Sequence, residues 1–110
     1  MTKPIICVNF KIHSNAFGEK ASELASIMSK ISKEFDIRLV AAVSAFDLSS
    51  ITSNFPDLEV WSQHLDPIGI GSFTGSLQPE NAFYHGARGT LLNHAEKKIS
   101  LDQIKNTLSL

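Results

Sequence analysis

Four short runs of mostly apolar residues recur along the chain and predict β-strands. The first, Pro4-Ile5-Ile6-Cys7-Val8-Asn9-Phe10, is nearly continuous and rich in β-branched residues, which predicts a strand covered on both faces. Similar runs predict a second strand at residues 37–43 and a third at residues 58–63. Residues 90–93 form the core of a fourth predicted strand.

Between the first two runs the apolar residues change to helical spacing. One stripe within residues 14–35 predicts an amphipathic helix that packs against a sheet. Its members are Phe17, Ala21, Leu24, Met28, Ile31 and Phe35. Ser14 or Asn15 can cap the start of this helix.

Three further helices are predicted from local signals. Residues 44–53 carry a weak helical pattern, and residues 79–85 begin with a proline at a position that suits the first helical turn. Ser100 and Gln103 have the spacing of a capping box and predict the start of a last helix. The predicted order is therefore β-α-β-α-β-α-β-α. This alternation is typical of an α/β fold of parallel β/α units with right-handed crossovers. No linker interrupts it, so residues 1–110 are predicted to form one domain.

The connection at residues 64–78 is long for a compact chain and contains three glycines. Loops of this length usually carry function or contact a partner. Gly69-Ile70-Gly71 does not make a nucleotide-binding fingerprint, because no strand leads straight into it and no helix follows at the right offset.

Composition excludes some classes of function but does not indicate a reaction. Hydrophobic residues make up 43% of the chain and the formal net charge is −1, so no strong basic field exists to hold a nucleic acid. The apolar runs are too short to cross a membrane. Cys7 is the single cysteine and is expected to be buried as a small apolar side chain. Without a signal peptide or a possible internal disulfide, a cytoplasmic protein is expected.

Three stretches, in order and in register, resemble the triosephosphate isomerase family, in particular the N-terminal half of its shorter archaeal type. The first is Asn9-Phe10-Lys11, which follows the first predicted strand. The second is Gln63-His64-Leu65-Asp66-Pro67 together with Gly71-Ser72-Phe73-Thr74-Gly75. The third is Gly89-Thr90-Leu91-Leu92-Asn93-His94-Ala95-Glu96, around the fourth predicted strand.

This resemblance implies a fold and an activity. The family folds as a (β/α)₈ barrel of about 250 residues. The chain would then supply four strands and four helices, or half of such a barrel. The implied reaction interconverts glyceraldehyde 3-phosphate and dihydroxyacetone phosphate, through an enediolate and without a cofactor. No metal is expected either, because the four histidines lack metal-ligand spacing.

The resemblance also implies roles for four residues. His94 would be the catalytic histidine, held neutral by a backbone amide at a helix start so that it polarises the substrate carbonyl. Lys11 would be catalytic and would bind the anionic substrate. Asn9 and Glu96 would complete the substrate-binding set, and Ala95 departs from the serine usual in the family. Taken alone, a lysine after a strand is more often solvated, and a histidine at a strand end more often structural.

Half of the family's machinery is absent from these 110 residues. The glutamate base and the phosphate-gripping loops belong to the family's second half, so the isolated chain is expected to have no useful isomerase activity. Three readings remain open: a fragment of a full isomerase, a half-barrel that pairs with an identical or complementary half, or a non-catalytic binding or assembly module. Thr74 resembles a loop tip that reaches into a neighbouring subunit in family oligomers, although Phe73 replaces the usual histidine there.

Overall fold

The computed structural model describes residues 4–110 and contains one parallel sheet with four helices. Its strands are β1 (Ile5–Asn9), β2 (Arg38–Val43) and β3 (Glu59–Ser62), hydrogen-bonded in the order β1-β2-β3. The helices are α1 (Glu19–Phe35), α2 (Leu48–Asn54), α3 (Pro79–Tyr84) and α4 (Leu101–Leu108). Each strand pairs with the next one in sequence, as the predicted parallel β/α units require.

The fourth predicted strand is reduced to a bridge. Thr90 pairs with Ser62 in parallel, supported by a hydrogen bond from Ser62 N–H to Gly89 O (3.0 Å) and another from Leu91 N–H to Ser62 O (3.0 Å). Within residues 4–110 no strand pairs with the segment around Thr90 on the side away from β3. Asn93 then adopts a left-handed conformation (φ 55°), which ends the extended stretch. The expected four strands are therefore three strands and a bridging segment, defined here as residues 89–91.

The main core lies between the sheet and the helices. Alternate residues of β2 and β3 point to this side, because side chains alternate between the faces of a strand. They pack with alanines of α1 and with leucine and isoleucine of α2; the fully buried members are Ala21, Ala25, Ala41, Val43 and Ile51. We call this the helix-facing core.

The opposite face of the sheet carries a group of polar side chains beside apolar ones such as Val40 and Ala42. Arg38 of β2 donates from Nε and Nη2 to the two carboxylate oxygens of Glu59 on β3, at 2.8 and 2.9 Å. Trp61 Nε1–H donates to the same carboxylate at 2.8 Å. The guanidinium of Arg38 holds the pKa of Glu59 below its usual range. The register places Asn9 beside Ala42 and Ala42 beside Trp61, so Asn9 shares this face.

Strand β1 is more exposed than its sequence predicts. The run 4–10 was expected to be covered on both faces, but Ile5 is 45% exposed and Ile6 is 49% exposed. Cys7 is exposed as well, so its predicted burial is wrong. β1 pairs only with β2, and no other strand within residues 4–110 lies along its free edge. An apolar sequence cannot by itself supply the neighbours that would bury it.

The first helix begins later than its pattern predicts. Neither Ser14 nor Asn15 caps it; α1 begins after Gly18, whose positive φ of 61° turns the chain. The Gly18 N–H donates to Asp47 Oδ1 at 3.1 Å. Ala21 and Met28 of the apolar stripe are buried, but Phe17, Ile31 and Phe35 remain 45%, 37% and 62% exposed. No helix within residues 4–110 is long and apolar enough to cross a membrane.

Candidate functional site

The end of β1 sets up one side of the site. Phe10 is 2% exposed, and its N–H donates to Ala42 O at 2.9 Å, which continues the ladder one residue past β1. Burial of this ring in the helix-facing core fixes the direction of the chain. Because side chains alternate along a strand, Asn9 points to the opposite face of the sheet. Lys11 lies beyond β1, so its own backbone conformation sets the direction of its side chain.

Lys11 has an unusual backbone conformation. Its φ of 54° lies in the left-handed region, which residues with a Cβ rarely adopt. The Lys11 N–H donates to the side-chain oxygen of Asn9 at 2.9 Å. On its other side, the Lys11 carbonyl accepts from Gln63 Nε2 at 2.9 Å. Both backbone polar groups of Lys11 are therefore bonded to side chains.

His94 follows the bridging segment and lies in a compact turn. The left-handed Asn93 directs the chain, and its side-chain oxygen accepts from Ile99 N–H at 3.0 Å. The His94 carbonyl accepts from Lys97 N–H at 2.7 Å. These bonds hold the residues after His94 in a turn, whereas a helix start was expected there. Helix α4 begins only at Leu101, so the helix-start part of the expectation is wrong.

The hydrogen bonds of His94 define its tautomer. The Glu96 N–H donates to His94 Nδ1 at 3.1 Å, and only an unprotonated ring nitrogen can accept. A neutral ring then carries its proton on Nε2. That nitrogen lies 3.5 Å from Asn9 Nδ2, which is also a donor because the Asn9 oxygen already accepts from Lys11. Two N–H donors thus lie side by side at the carboxyl edge of the sheet.

Two charged side chains lie beside this pair of donors. Lys11 Nζ lies 3.7 Å from Glu96 Oε2, and Glu96 Oε1 lies 3.6 Å from His94 Nδ1. The side chains of Lys11 and Glu96 are 42% and 62% exposed, so water screens the pair and its contribution to stability is small. A pair held this loosely can be separated by a competing anion at little cost. The structure brings together all four residues singled out from the sequence.

The long connection is closed at its base by Asp66. Its carboxylate accepts from Leu77 N–H at 2.7 Å and contacts His64 Nε2 at 3.0 Å, while Asp66 N–H donates to Leu77 O at 2.8 Å. Burial raises the pKa of Asp66, but the hydrogen bonds from Leu77 and His64 outweigh it and lower the pKa below its usual value. Phe73 near the loop tip is 46% exposed.

Sequence reasoning missed Gln63 as a residue of this site. The sequence places it only at the end of the third predicted strand and in a resembling stretch, and nothing in its spacing indicates that its side chain reaches the end of β1. Its Nε2 donates to Lys11 O and, at 3.2 Å, to Ala42 O. Gln63 directly follows β3, and this is the only signal that would have placed Gln63 at the carboxyl edge of the sheet.

A parallel β/α sheet with polar side chains at the carboxyl ends of its strands is the arrangement of (β/α)₈-barrel enzymes, which place their chemistry at that edge. The comparisons with known proteins specify the family. The family model described as triosephosphate isomerase matches residues 4–109, and the chain belongs to this family.

The relatives show how much of the family this chain represents. It is 38% identical to the triosephosphate isomerase of Saccharolobus solfataricus over 108 residues, which cover 98% of this chain and 47% of that protein. It is 37% identical to the enzyme of Methanothermus fervidus, covering 98% and 48% of the two chains. A crystal structure of triosephosphate isomerase from Bartonella henselae matches with a TM-score of 0.78 at 19% identity, covering 98% and 48%. The chain thus spans about half the length of its relatives and has the fold of half a barrel.

Proposed function

We propose that this chain contributes the N-terminal half of a triosephosphate isomerase site, which interconverts glyceraldehyde 3-phosphate and dihydroxyacetone phosphate. The observation that carries the proposal is the pair of adjacent donors, His94 Nε2 and Asn9 Nδ2, at 3.5 Å. Two N–H donors this close together suit an oxygen that gains negative charge during a reaction, because both could donate to it. The carbonyl oxygen of a triose phosphate becomes such an oxygen in the enediolate.

The hydrogen bonds of His94 suit this chemistry. With Nδ1 accepting from Glu96 N–H, a neutral ring would donate from Nε2 toward the substrate. A neutral imidazole is the known electrophile of the family. The amide that fixes the tautomer belongs to the backbone, so Ala95 in place of serine leaves this bond in place.

Lys11 supplies the positive charge of the proposed site. Its ammonium group lies beside Glu96 in the absence of substrate, at 3.7 Å. An arriving phosphate or enediolate oxygen competes with Glu96 for the same cation. Glu96 therefore holds Lys11 near the site between turnovers and releases it to the substrate.

The remaining parts of the reaction would come from a second half. The family's glutamate base and phosphate-gripping loops have no counterpart among the matched residues 4–109, which span about half of each relative. The chain alone is therefore expected to be inactive. Its partner would be a complementary half-barrel, which would supply these groups, or another copy of itself in a homo-oligomer, which would close the barrel without them. In either case the assembly would be cytoplasmic.

Reconstitution tests this proposal. The purified chain is mixed with the C-terminal half of the Saccharolobus solfataricus relative, and isomerisation is assayed in both directions. Activity is expected only in the mixture and should be lost in His94→Ala. His85→Ala is the matched control, because His85 is an exposed histidine at the end of α3. A mixture that forms a stable complex yet remains inactive would refute the isomerase proposal.

A second candidate function is a non-catalytic assembly module, and the exposure of β1 favours it. A strand with an open edge and apolar residues such as Ile5 and Ile6 in partial contact with water is suited to pairing with another strand. This candidate predicts a defined complex with no catalytic rate. The same mixing experiment distinguishes the two functions, since only the isomerase proposal requires turnover that depends on His94.

A further inference from the structure

The strongest unexplained feature of the site is how Lys11 keeps its left-handed backbone. A lysine at φ 54° carries a conformational cost that must be met by its surroundings. The bond from Lys11 N–H to Asn9 Oδ1 is local and spans only two residues. It can move together with the end of β1 and does not tie that end to the rest of the sheet.

Gln63 makes the long-range connection. Its side chain projects from the residue after β3, and its Nε2 donates both to Lys11 O (2.9 Å) and to Ala42 O (3.2 Å). Ala42 O also accepts from Phe10 N–H at 2.9 Å. The carbonyl near the end of β2 therefore accepts one hydrogen bond from the segment after β1 and one from the segment after β3. One carboxamide group thus joins the carboxyl ends of all three strands.

We propose that Gln63 is a positioning residue, whose carboxamide holds the backbone of Lys11 in the conformation that directs the ammonium group toward Asn9, His94 and Glu96. This inference rests on the proposed function, because the lysine it concerns belongs to that site. Gln63 does not need to touch the substrate. It acts through the Lys11 carbonyl, and its donor group is essential because both of its targets are acceptors.

Hydrogen exchange in the purified chain tests the inference without any catalysis. Gln63→Met keeps the length of the side chain and removes both donors. If Gln63 holds the Lys11 backbone, that backbone then leaves its left-handed conformation more often and breaks the bond from Lys11 N–H to Asn9 Oδ1, so the Lys11 amide is expected to exchange about tenfold faster. Gln63→Glu is the second variant, since an ionised carboxylate has no donor to offer. Gln78→Ala is the matched control, because it removes the capping bond to Asn81 N–H on α3.

The exchange result has two clear outcomes. Faster exchange at Lys11 in both Gln63 variants, but not in Gln78→Ala, supports the inference. An unchanged Lys11 amide in a folded Gln63→Met or Gln63→Glu protein overturns it. A catalytically silent reconstituted mixture would count against the proposed function, while the exchange result would still decide the role of Gln63.

Where the reconstituted mixture is active, a double-mutant cycle separates positioning from general support of the fold. Gln63→Met is expected to lower kcat/KM by about 10- to 100-fold, the scale of a small misplacement of a reacting group. In a Lys11→Met background the same change should alter kcat/KM by less than about twofold, because Gln63 acts only through Lys11. An equal loss in both backgrounds would show a structural role and overturn the inference.

Discussion

Substitution of Gly89 by alanine offers a sharp test of how the bridging segment is held against β3. A Cβ atom at this position would lie 2.7 Å from Trp61 Cε2 and 2.8 Å from Trp61 Nε1. Ordinary carbon contacts are about 3.5–4.0 Å long, so a shift of about 1 Å is required. The φ of Gly89 lies outside the left-handed region, and the cost is therefore steric rather than conformational.

The indole of Trp61 is not free to give way. Its Nε1–H donates to Glu59 at 2.8 Å, and Glu59 is held in turn by both donors of Arg38. Overpacking of this kind costs about 1–3 kcal/mol. With a urea dependence of about 1–3 kcal/mol per M, the unfolding midpoint should fall by roughly 1 M. The bond from Ser62 N–H to Gly89 O, which supports the approach to His94, should weaken as well.

Trp61 also provides the assay, because it is the single tryptophan of the chain. Urea unfolding followed by fluorescence gives the midpoint, and the emission of the folded state reports whether the indole has moved. Gly69→Ala is the matched control, since a Cβ there meets nothing within 4 Å. A Gly89→Ala protein with the stability of Gly69→Ala and unchanged emission would refute the reasoning. In a Trp61→Val background, followed by circular dichroism, the cost of Gly89→Ala should largely disappear.

Three further predictions concern single interactions. Ser100→Ala removes half of the capping box of α4 and should lower the free energy of unfolding by about 0.5–2 kcal/mol, measured by urea titration. Asp66 has a lowered pKa in the folded chain, so its contribution is present above the ordinary aspartate pKa and is lost as pH falls through the folded value; the stability difference between the parent and Asp66→Asn should shrink over that acidic window. Arg38→Gln should raise the pKa of Glu59 toward its ordinary value, measured by carboxyl NMR titration.

Each of these predictions has an outcome that would contradict it. Ser109→Ala, at the other end of α4, should have little effect, and an equally small effect of Ser100→Ala would argue against the capping box. A stability difference for Asp66→Asn that stays constant throughout the acidic range would show that the Asp66 charge contributes nothing. An unmoved pKa of Glu59 in Arg38→Gln would mean that other groups lower it.

Features that depend on residues close together in the sequence were predicted correctly. The Ser100–Gln103 spacing predicted the start of α4, and both bonds of the capping box are present. The alternation of strands and helices likewise predicted the parallel β/α order. The start of α1 was misplaced because Gly18 and its bond to Asp47 involve a residue far along the chain, which no local pattern reveals.

The site was predictable only in part, because its geometry also depends on contacts between residues far apart in the sequence. Asn9, Lys11, His94 and Glu96 were singled out because they occur in stretches that resemble a known family. Their hydrogen bonds and the left-handed backbone of Lys11 depend on how distant segments meet at the carboxyl edge. The exposure of Cys7 was missed because burial depends on neighbours that hydrophobicity alone does not supply.

The helix-facing core has a consequence for the order of events during folding. Its members extend from Phe10 to Val60, with Ala87 alone beyond them, and every paired strand is adjacent in sequence. The strand pairings of this layer join residues about 33 and 19 positions apart, whereas the contacts Gln63–Lys11 and Asn9–His94 join residues 52 and 85 positions apart. Closing a shorter loop costs less conformational entropy. We expect this layer to condense first, giving a nucleus on which Gln63 and His94 arrive later. The fold would then form before the site: a nascent chain could become compact on one side of its sheet while the residues of the proposed site are still coming together.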